Sequence, residues 1–269
     1  MKVGWSGSTV EARELGSGPA VVLLHGYPLD GAMWSGVARL LSESFRVIKP
    51  DLPGRGDTPA PAAPGIEGYA DFVEAILAEL PFGAGLAGFS MGGYVALAVA
   101  KRRPPNLAAL ALVDTKAAAD TDAGRCGRDE SIAVAREKGV EAIADAMLPK
   151  LLSAAALANR DTVERVRRIM LRQPKDTIAA DLAAMRDRPD STSFLSEIRM
   201  PARVIVGAED AIAPPEEGRA MADAIAGADC IVIPGAGHLA PVERPRAVAT
   251  SLQEFFARTL SAGGAAGPA

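Results

Sequence analysis

The sequence predicts an α/β protein in which helices cover both faces of a mostly parallel sheet. Short aliphatic runs alternate with amphipathic segments over residues 1–115 and again over residues 198–260, a pattern typical of parallel strands joined by crossover helices. Residues 116–197 instead show helical periodicity without a convincing strand. We expect this insertion to form a cap over the carboxyl ends of the strands, where open α/β sheets bind ligands.

Each predicted element is defined by its hydrophobic pattern and by the turn residues that bound it. The predicted strands span residues 20–26, 45–51, 85–89, 107–114, 202–210 and 229–235. The predicted helices span residues 33–44, 69–80, 91–102, 216–227 and 247–259 in the core, and residues 131–139, 140–152, 161–173 and 176–188 in the cap. The last nine residues, 261–269, lack a packing face, and we expect a disordered tail there.

Composition and charge narrow the class of protein. Hydrophobic residues make up 49% of the 269 positions and charged residues 23%, as in ordinary globular domains. A net charge of −4 gives no basic footprint for nucleic acid or a membrane surface, and no apolar run reaches the roughly 18 residues of a membrane-spanning helix. The N-terminus lacks a secretory signal pattern, and Cys126 and Cys230 have no metal-binding spacing. We expect a cytoplasmic protein that acts on a small molecule.

The most informative segment is GFSMG, where an apolar strand becomes a helix at a serine between glycines. The pattern G-x-S-x-G at a strand-to-helix turn is typical of a nucleophile elbow, which exposes the serine hydroxyl at the end of the strand. Gly88 and Gly92 would let backbone segments approach closely around this turn. Ser90 is therefore the predicted nucleophile, and a plain turn serine is the alternative.

A serine hydroxyl needs a general base, and the chain has only two histidines. His238 lies in the glycine-flanked loop IPGAGHLAPVE after a late strand, and we expect it to be the base. His25 ends the first predicted core strand, in LLHGYP, and a supporting structural role is predicted for it.

The imidazole in turn needs an acid that fixes its tautomer. Asp114 and Asp210 both end predicted strands, in LALVDT and VGAEDAIAPP. We favour Asp210, because its strand ends close to the loop that carries His238. The chain order nucleophile, acid, base is the order of α/β-hydrolases.

The segment GAGLAG at residues 83–88 also matches the dinucleotide-binding pattern G-x-G-x-x-G. That pattern requires the first glycine just after a strand and the last inside a helix, whereas here the strand lies within the motif. We therefore predict no nucleotide, and the sequence implies neither another cofactor nor a metal.

Taken together, these motifs resemble those of the α/β-hydrolase superfamily over residues 3–260. The resemblance rests on the segments HGYPLDGAMW, PDLPGRGDT, GFSMGGYVAL, GAEDAIAPP and GAGHLAPVERP. Within the superfamily, the chain is most similar to enol-lactonase-like hydrolases acting on 3-oxoadipate enol-lactone and to cofactor-free haloperoxidase or perhydrolase-type esterases. The fold this implies is a mostly parallel sheet flanked by helices, with the cap inserted after the sixth strand.

The resemblance also implies an oxyanion hole made by the backbone N–H groups of Tyr27 and Met91, with Gly26 as a supporting residue. Met91 would open a helix, where amides are unpaired and the helix dipole favours anions.

The predicted function is cofactor-free hydrolysis of a carboxylic ester or lactone through an acyl-enzyme. The alternatives are perhydrolase or haloperoxidase activity on the same triad, C–C bond hydrolysis, and a non-catalytic ligand receptor. The sequence leaves the oligomeric state open, and a homo-oligomer is one possibility.

Two residues depart from the patterns of related sequences: Arg55 replaces a frequent histidine, and Tyr94 replaces the arginine of pyruvate-eliminating relatives. The basic run at 164–172 could bind a substrate carboxylate or simply form a solvated helix face.

Overall fold

A seven-stranded sheet forms the centre of the molecule in a computed structural model that describes residues 1–63, 65–80 and 83–260. The described residues contain nine strands: β1 (Lys2–Trp5), β2 (Ser8–Glu11), β3 (Arg13–Leu15), β4 (Ala20–Leu24), β5 (Arg46–Lys49), β6 (Ala84–Phe89), β7 (Leu107–Val113), β8 (Ala202–Gly207) and β9 (Asp229–Ile233). Strands β1 and β2 pair with each other, and the other seven form the central sheet in the order β3-β5-β4-β6-β7-β8-β9, in which only β3 runs antiparallel to its neighbour. The predicted mostly parallel sheet is confirmed.

Helices cover both faces of this sheet. They are α1 (Ser35–Leu41), α2 (Ile66–Ala78), α3 (Met91–Arg102), α4 (Asp122–Leu151), α5 (Ala154–Leu157), α6 (Arg160–Leu171), α7 (Lys175–Arg186), α8 (Pro215–Ala224), α9 (Ala240–Glu243) and α10 (Pro245–Leu260). Side chains of β4 alternate between two cores: Val22 and Leu24 pack with α2, α3 and α8, whereas Val21 and Leu23 pack with α1 and α10. Because both faces are buried, the strand is apolar throughout.

The N-terminal segment contains structure that the sequence pattern does not reveal. Strands β1 and β2 form an antiparallel hairpin around Ser6 and Gly7, which both have positive φ, as a tight hairpin turn requires. The three-residue β3 then joins the main sheet. The helical insertion follows β7, which is the seventh strand in chain order and the fifth strand of the main sheet.

The helices of the insertion lie between β7 and β8. Helix α4 begins at Asp122 rather than at the expected residue 131, because the Thr121 hydroxyl accepts the N–H of Gly124 and caps it. Its helical backbone is interrupted at Gly139, where φ is 81°, so the expected boundary between residues 139 and 140 is present as a break. The division into core and cap domains remains a prediction, and the expected tail at 261–269 lies outside the described residues.

Across the part of the chain that the structure describes, no helix combines the length and apolarity needed to cross a bilayer.

Candidate active site

Ser90 occupies a strained turn between β6 and α3. Its backbone has φ 51° and ψ −116°, a conformation that costs an L-residue free energy and persists only when the surroundings enforce it. Its N–H donates to the carbonyl of Val113 at 2.9 Å, and its carbonyl accepts from Gly93 N at 2.8 Å and from the Thr115 hydroxyl at 2.7 Å. The turn is thereby fixed from both sides.

The two glycines of the motif are required by close backbone contacts. A Cβ at Gly92 would lie 2.6 Å from the carbonyl oxygens of both Leu24 and His25. A Cβ at Gly88 would collide with the backbone of Gly92 and lie 2.8 Å from the Ala96 methyl. Both positions exclude larger residues for lack of space, because neither glycine has positive φ.

Ser90, His238 and Asp210 meet at the carboxyl edge of the sheet. The Ser90 hydroxyl lies 2.9 Å from Nε2 of His238, and Nδ1 of His238 lies 2.8 Å from Oδ2 of Asp210. Because Asp210 can only accept at this contact when ionised, Nδ1 carries the ring proton and Nε2 is free to accept from the serine. The exposed fractions are 9% for Ser90, 2% for His238 and 3% for Asp210, so the surrounding protein excludes most water.

Local contacts hold the Asp210 carboxylate and the His238 ring in place. The second carboxylate oxygen of Asp210 accepts the N–H groups of Ile212 and Ala213 at 2.8 and 2.9 Å. The His238 ring packs against Phe89 with 5.1 Å between ring centroids. These contacts fix the orientation of each ring and carboxylate before a substrate arrives.

The alternative acid, Asp114, does not contact His238 in the structure. Its Oδ1 accepts the N–H of Gly207 at 2.7 Å, and its Oδ2 has no hydrogen-bond partner among the described residues. Burial, together with the neighbouring Asp210, raises the pKa of Asp114 well above its usual range. The side chain therefore supports the end of β8 through Gly207 and does not orient the His238 ring.

The backbone segments that carry the two amides of the predicted oxyanion hole both lie next to Ser90. Met91 is the first residue of α3, where its N–H has no intrahelical acceptor. On the other side, a Cβ at Gly26 would lie 2.9 Å from the Ser90 Cβ, so the chain leading into Tyr27 passes directly beside the serine. The oxyanion hole itself stays a prediction, and it requires this proximity of both segments to Ser90.

His25 lies beneath this loop and is fully buried. Its Nε2 accepts the N–H of Leu52 at 2.9 Å, which leaves the proton on Nδ1, 3.1 Å from the Gly26 carbonyl. Burial, followed by the nearby Arg55 charge, lowers the pKa of His25 to about 3. The ring is neutral at physiological pH and ties the Gly26 loop to the loop after β5.

We expect His25 to make the protein acid-labile. Its folded-state pKa is lowered, so the unfolded chain binds the extra proton, and the stability contributed by neutral His25 is lost as pH falls from 6.5 to about 3. The expected slope is about 1.4 kcal/mol per pH unit. Urea unfolding at pH 7.5 and 4.5 checks this: His25→Gln should lose less stability between the two pH values than the wild type, and an equal loss would contradict it.

Two polar residues of the site region escaped sequence reasoning. Thr115 buttresses the Ser90 turn, and Glu243 joins the His238 loop to the insertion, accepting Gly237 N through Oε1 and Ser153 N through Oε2, both at 3.1 Å. Glu243 lies in the quoted segment GAGHLAPVERP, but only the docked insertion reveals its second partner.

In the described ranges, no group of three His, Cys, Asp or Glu side chains could hold a metal ion.

Comparison with known proteins defines the class to which this fold and site belong. The sequence matches the alpha/beta hydrolase family over residues 21–251. The chain therefore belongs to that family, and the resemblance seen in its motifs is confirmed.

Individual relatives cover almost the whole chain. A pimeloyl-acyl-carrier-protein methyl ester esterase from Aromatoleum aromaticum is 31% identical over 88% of this chain and 97% of its own. The solved structure of a thermophilic esterase from Thermogutta terrifontis is 35% identical, with a TM-score of 0.90 over 97% of this chain and 98% of its own. That of the enol-lactonase from Burkholderia xenovorans LB400 is 29% identical, with a TM-score of 0.86 over 96% and 100%.

Proposed function

We propose that the protein is a serine-type carboxylic ester hydrolase whose triad is Ser90, His238 and Asp210. The observation that carries the proposal is the unbroken hydrogen-bonded series from the Ser90 hydroxyl through His238 to Asp210, at 2.9 and 2.8 Å. The names of the esterase and enol-lactonase relatives support an ester or lactone as substrate. The residues of the site supply every proton transfer that this chemistry needs, so no cofactor is part of the proposal.

The geometry suits a two-step acyl transfer. His238 Nε2 takes the hydroxyl proton as Ser90 Oγ attacks the substrate carbonyl carbon, and the carbonyl oxygen becomes an oxyanion. His238 then gives that proton to the leaving alcohol oxygen, which leaves an acyl-enzyme. Water repeats the cycle and releases the acid. Asp210 stays ionised and stabilises the imidazolium that forms in both steps.

The developing oxyanion would be held by the amides of Met91 and Tyr27. Such donors act on charge that appears only in the transition state, and loss of one typically costs about 3 kcal/mol. The position of Met91 at the N-terminus of α3 adds the favourable end of the helix dipole.

Labelling with a fluorophosphonate probe tests the nucleophile. We expect one label per wild-type chain on the peptide that contains Ser90, and none on Ser90→Ala. Ser251→Ala is the matched control, because Ser251 is similarly buried at 5% exposure but lies on α10. Absence of wild-type labelling, or labelling of Ser90→Ala, would refute the nucleophile.

A substrate panel tests the reaction. Methyl and p-nitrophenyl esters and small lactones should be turned over by the wild type and not by Ser90→Ala. Adding acetate and hydrogen peroxide to the assay separates hydrolysis from peracid formation on the same triad. If peracid forms faster in the presence of peroxide than the ester is hydrolysed in its absence, the perhydrolase alternative replaces the hydrolase proposal.

A further inference from the structure

Arg55 is a buried cation that the proposed mechanism does not use. It is 1% exposed and lies in the loop after β5. Its Nε donates to the Leu29 carbonyl at 3.0 Å, and its Nη1 lies 3.5 Å from the Pro53 carbonyl. Its Nη2 forms an ion pair with Oδ2 of Asp181 on α7. One guanidinium thus contacts two core loops and one helix of the insertion.

Asp181 is held on its other side as well. It is 0% exposed, and its Oδ1 accepts the Tyr69 hydroxyl at 2.6 Å. Four positions earlier on the same helix, the Thr177 hydroxyl donates to the Gly54 carbonyl at 2.5 Å. Helix α7 is therefore fixed to the loop that carries Arg55 by a buried ion pair and by a partly buried hydrogen bond.

The Leu29 carbonyl connects this cluster to the reaction centre. Leu29 N–H donates to the Gly26 carbonyl at 2.9 Å, which closes the turn that contains Tyr27. Gly26 in turn passes directly beside Ser90. A shift of the Leu29 carbonyl would consequently be transmitted to the Tyr27 amide over two peptide units.

We propose that Arg55 is a positioning residue that fixes the Tyr27 amide for catalysis by joining the Leu29 carbonyl to Asp181 of helix α7. The inference rests on the proposed ester hydrolysis. In this arrangement the helical insertion contributes to the oxyanion hole through its ion pair with Arg55, although none of its residues supplies an oxyanion donor. The planar guanidinium suits the task, since its fixed fork can serve several acceptors at once.

Loss of the contact between Arg55 and Asp181 should lower the reaction rate with little loss of substrate binding. A misplaced donor weakens stabilisation of the oxyanion, which exists only in the transition state, whereas ground-state contacts are retained. We expect Arg55→Met and Asp181→Asn each to lower kcat for p-nitrophenyl acetate by about tenfold or more. KM should change by less than about threefold, and the inhibition constant of an alkyl boronic acid should rise by the same factor as kcat falls.

Arg203→Met is the matched control. Arg203 is also buried, at 5% exposure, and is paired with Asp229, but it belongs to β8 and bonds to β9 and α10 rather than to the Tyr27 loop. The Arg203→Met variant should have a lower thermal stability, whereas its kcat and its inhibition by the boronic acid should be unchanged. If Arg55→Met does not fold, Asp181→Asn carries the test, because it keeps the shape of the side chain.

Two outcomes would overturn the inference: wild-type kcat and boronate inhibition in folded Arg55→Met or Asp181→Asn, or an equal kcat loss in Arg203→Met. These outcomes are distinct from failure of the proposed function. Failure there would appear in the wild type itself, as absence of ester turnover and of fluorophosphonate labelling.

Discussion

Asp210→Asn should lower kcat for ester hydrolysis by about 10⁴-fold, as expected when the base is left in the wrong tautomer. The asparagine amide can place an N–H donor where Asp210 now accepts from Nδ1 of His238. The ring would then carry its proton on Nε2 and could no longer accept from Ser90. Steady-state kinetics with p-nitrophenyl acetate measure the loss.

Asp114→Asn is the matched control for this substitution. Asp114 also ends a strand and is also buried, but its carboxyl contacts Gly207 N rather than His238. We expect kcat within about twofold of the wild type, since the asparagine oxygen can still accept from Gly207. If Asp114→Asn loses the activity and Asp210→Asn keeps it, the acid of the triad is Asp114.

The same control variant has a pH-dependent effect on stability. The pKa of Asp114 is raised in the folded state, so the folded protein holds a proton that the unfolded chain releases above its ordinary pKa. The contribution of Asp114 to stability therefore falls as pH rises above about 4, and the asparagine variant should be spared this loss. Denaturant unfolding should show the advantage of Asp114→Asn growing from pH 4 to pH 8. A pH-independent difference would argue against a raised pKa of Asp114 in the folded protein.

Gly92→Ala should destabilise the protein by about 3 kcal/mol and remove most activity in the fraction that folds. The added methyl would lie 2.6 Å from two backbone oxygens at the end of β4, which have no rotamer by which to move away. Relief requires α3 to shift outward, and the Ser90 turn and the Met91 amide shift with it. Thermal unfolding and fluorophosphonate labelling rates report the two effects.

Gly127→Ala is the control for a helical glycine. Gly127 lies within α4, where an added Cβ meets nothing within 4 Å. Alanine should therefore stabilise the helix by up to about 1 kcal/mol without altering activity. If Gly92→Ala and Gly127→Ala destabilise the protein to the same degree, the contact with the end of β4 is not the cause of the Gly92→Ala effect.

Local patterns predicted the six parallel strands β4 to β9 and selected the three residues of the proposed triad. Ser90, Asp210 and His238 each follow a strongly apolar strand, and the ends of parallel strands converge at one edge. Strand β3 was missed because all three of its residues are exposed, so it lacks the apolar signature of a strand. Arg55 could not be paired with Asp181 because the partners are 126 positions apart and meet only when the insertion docks.

The contacts of Glu243 determine how the insertion can be exchanged between relatives. The Ser153 N–H donates to Glu243, and the Leu239 N–H donates to the Leu151 carbonyl at 2.9 Å, so the end of α4 and the residues just after it anchor the segment that follows His238. A chimera with a foreign insertion spliced at residues 116 and 197 would replace this anchor together with helices α4 to α7. Splicing after residue 153 instead would retain the native support of the His238 loop and vary only what lies beyond it.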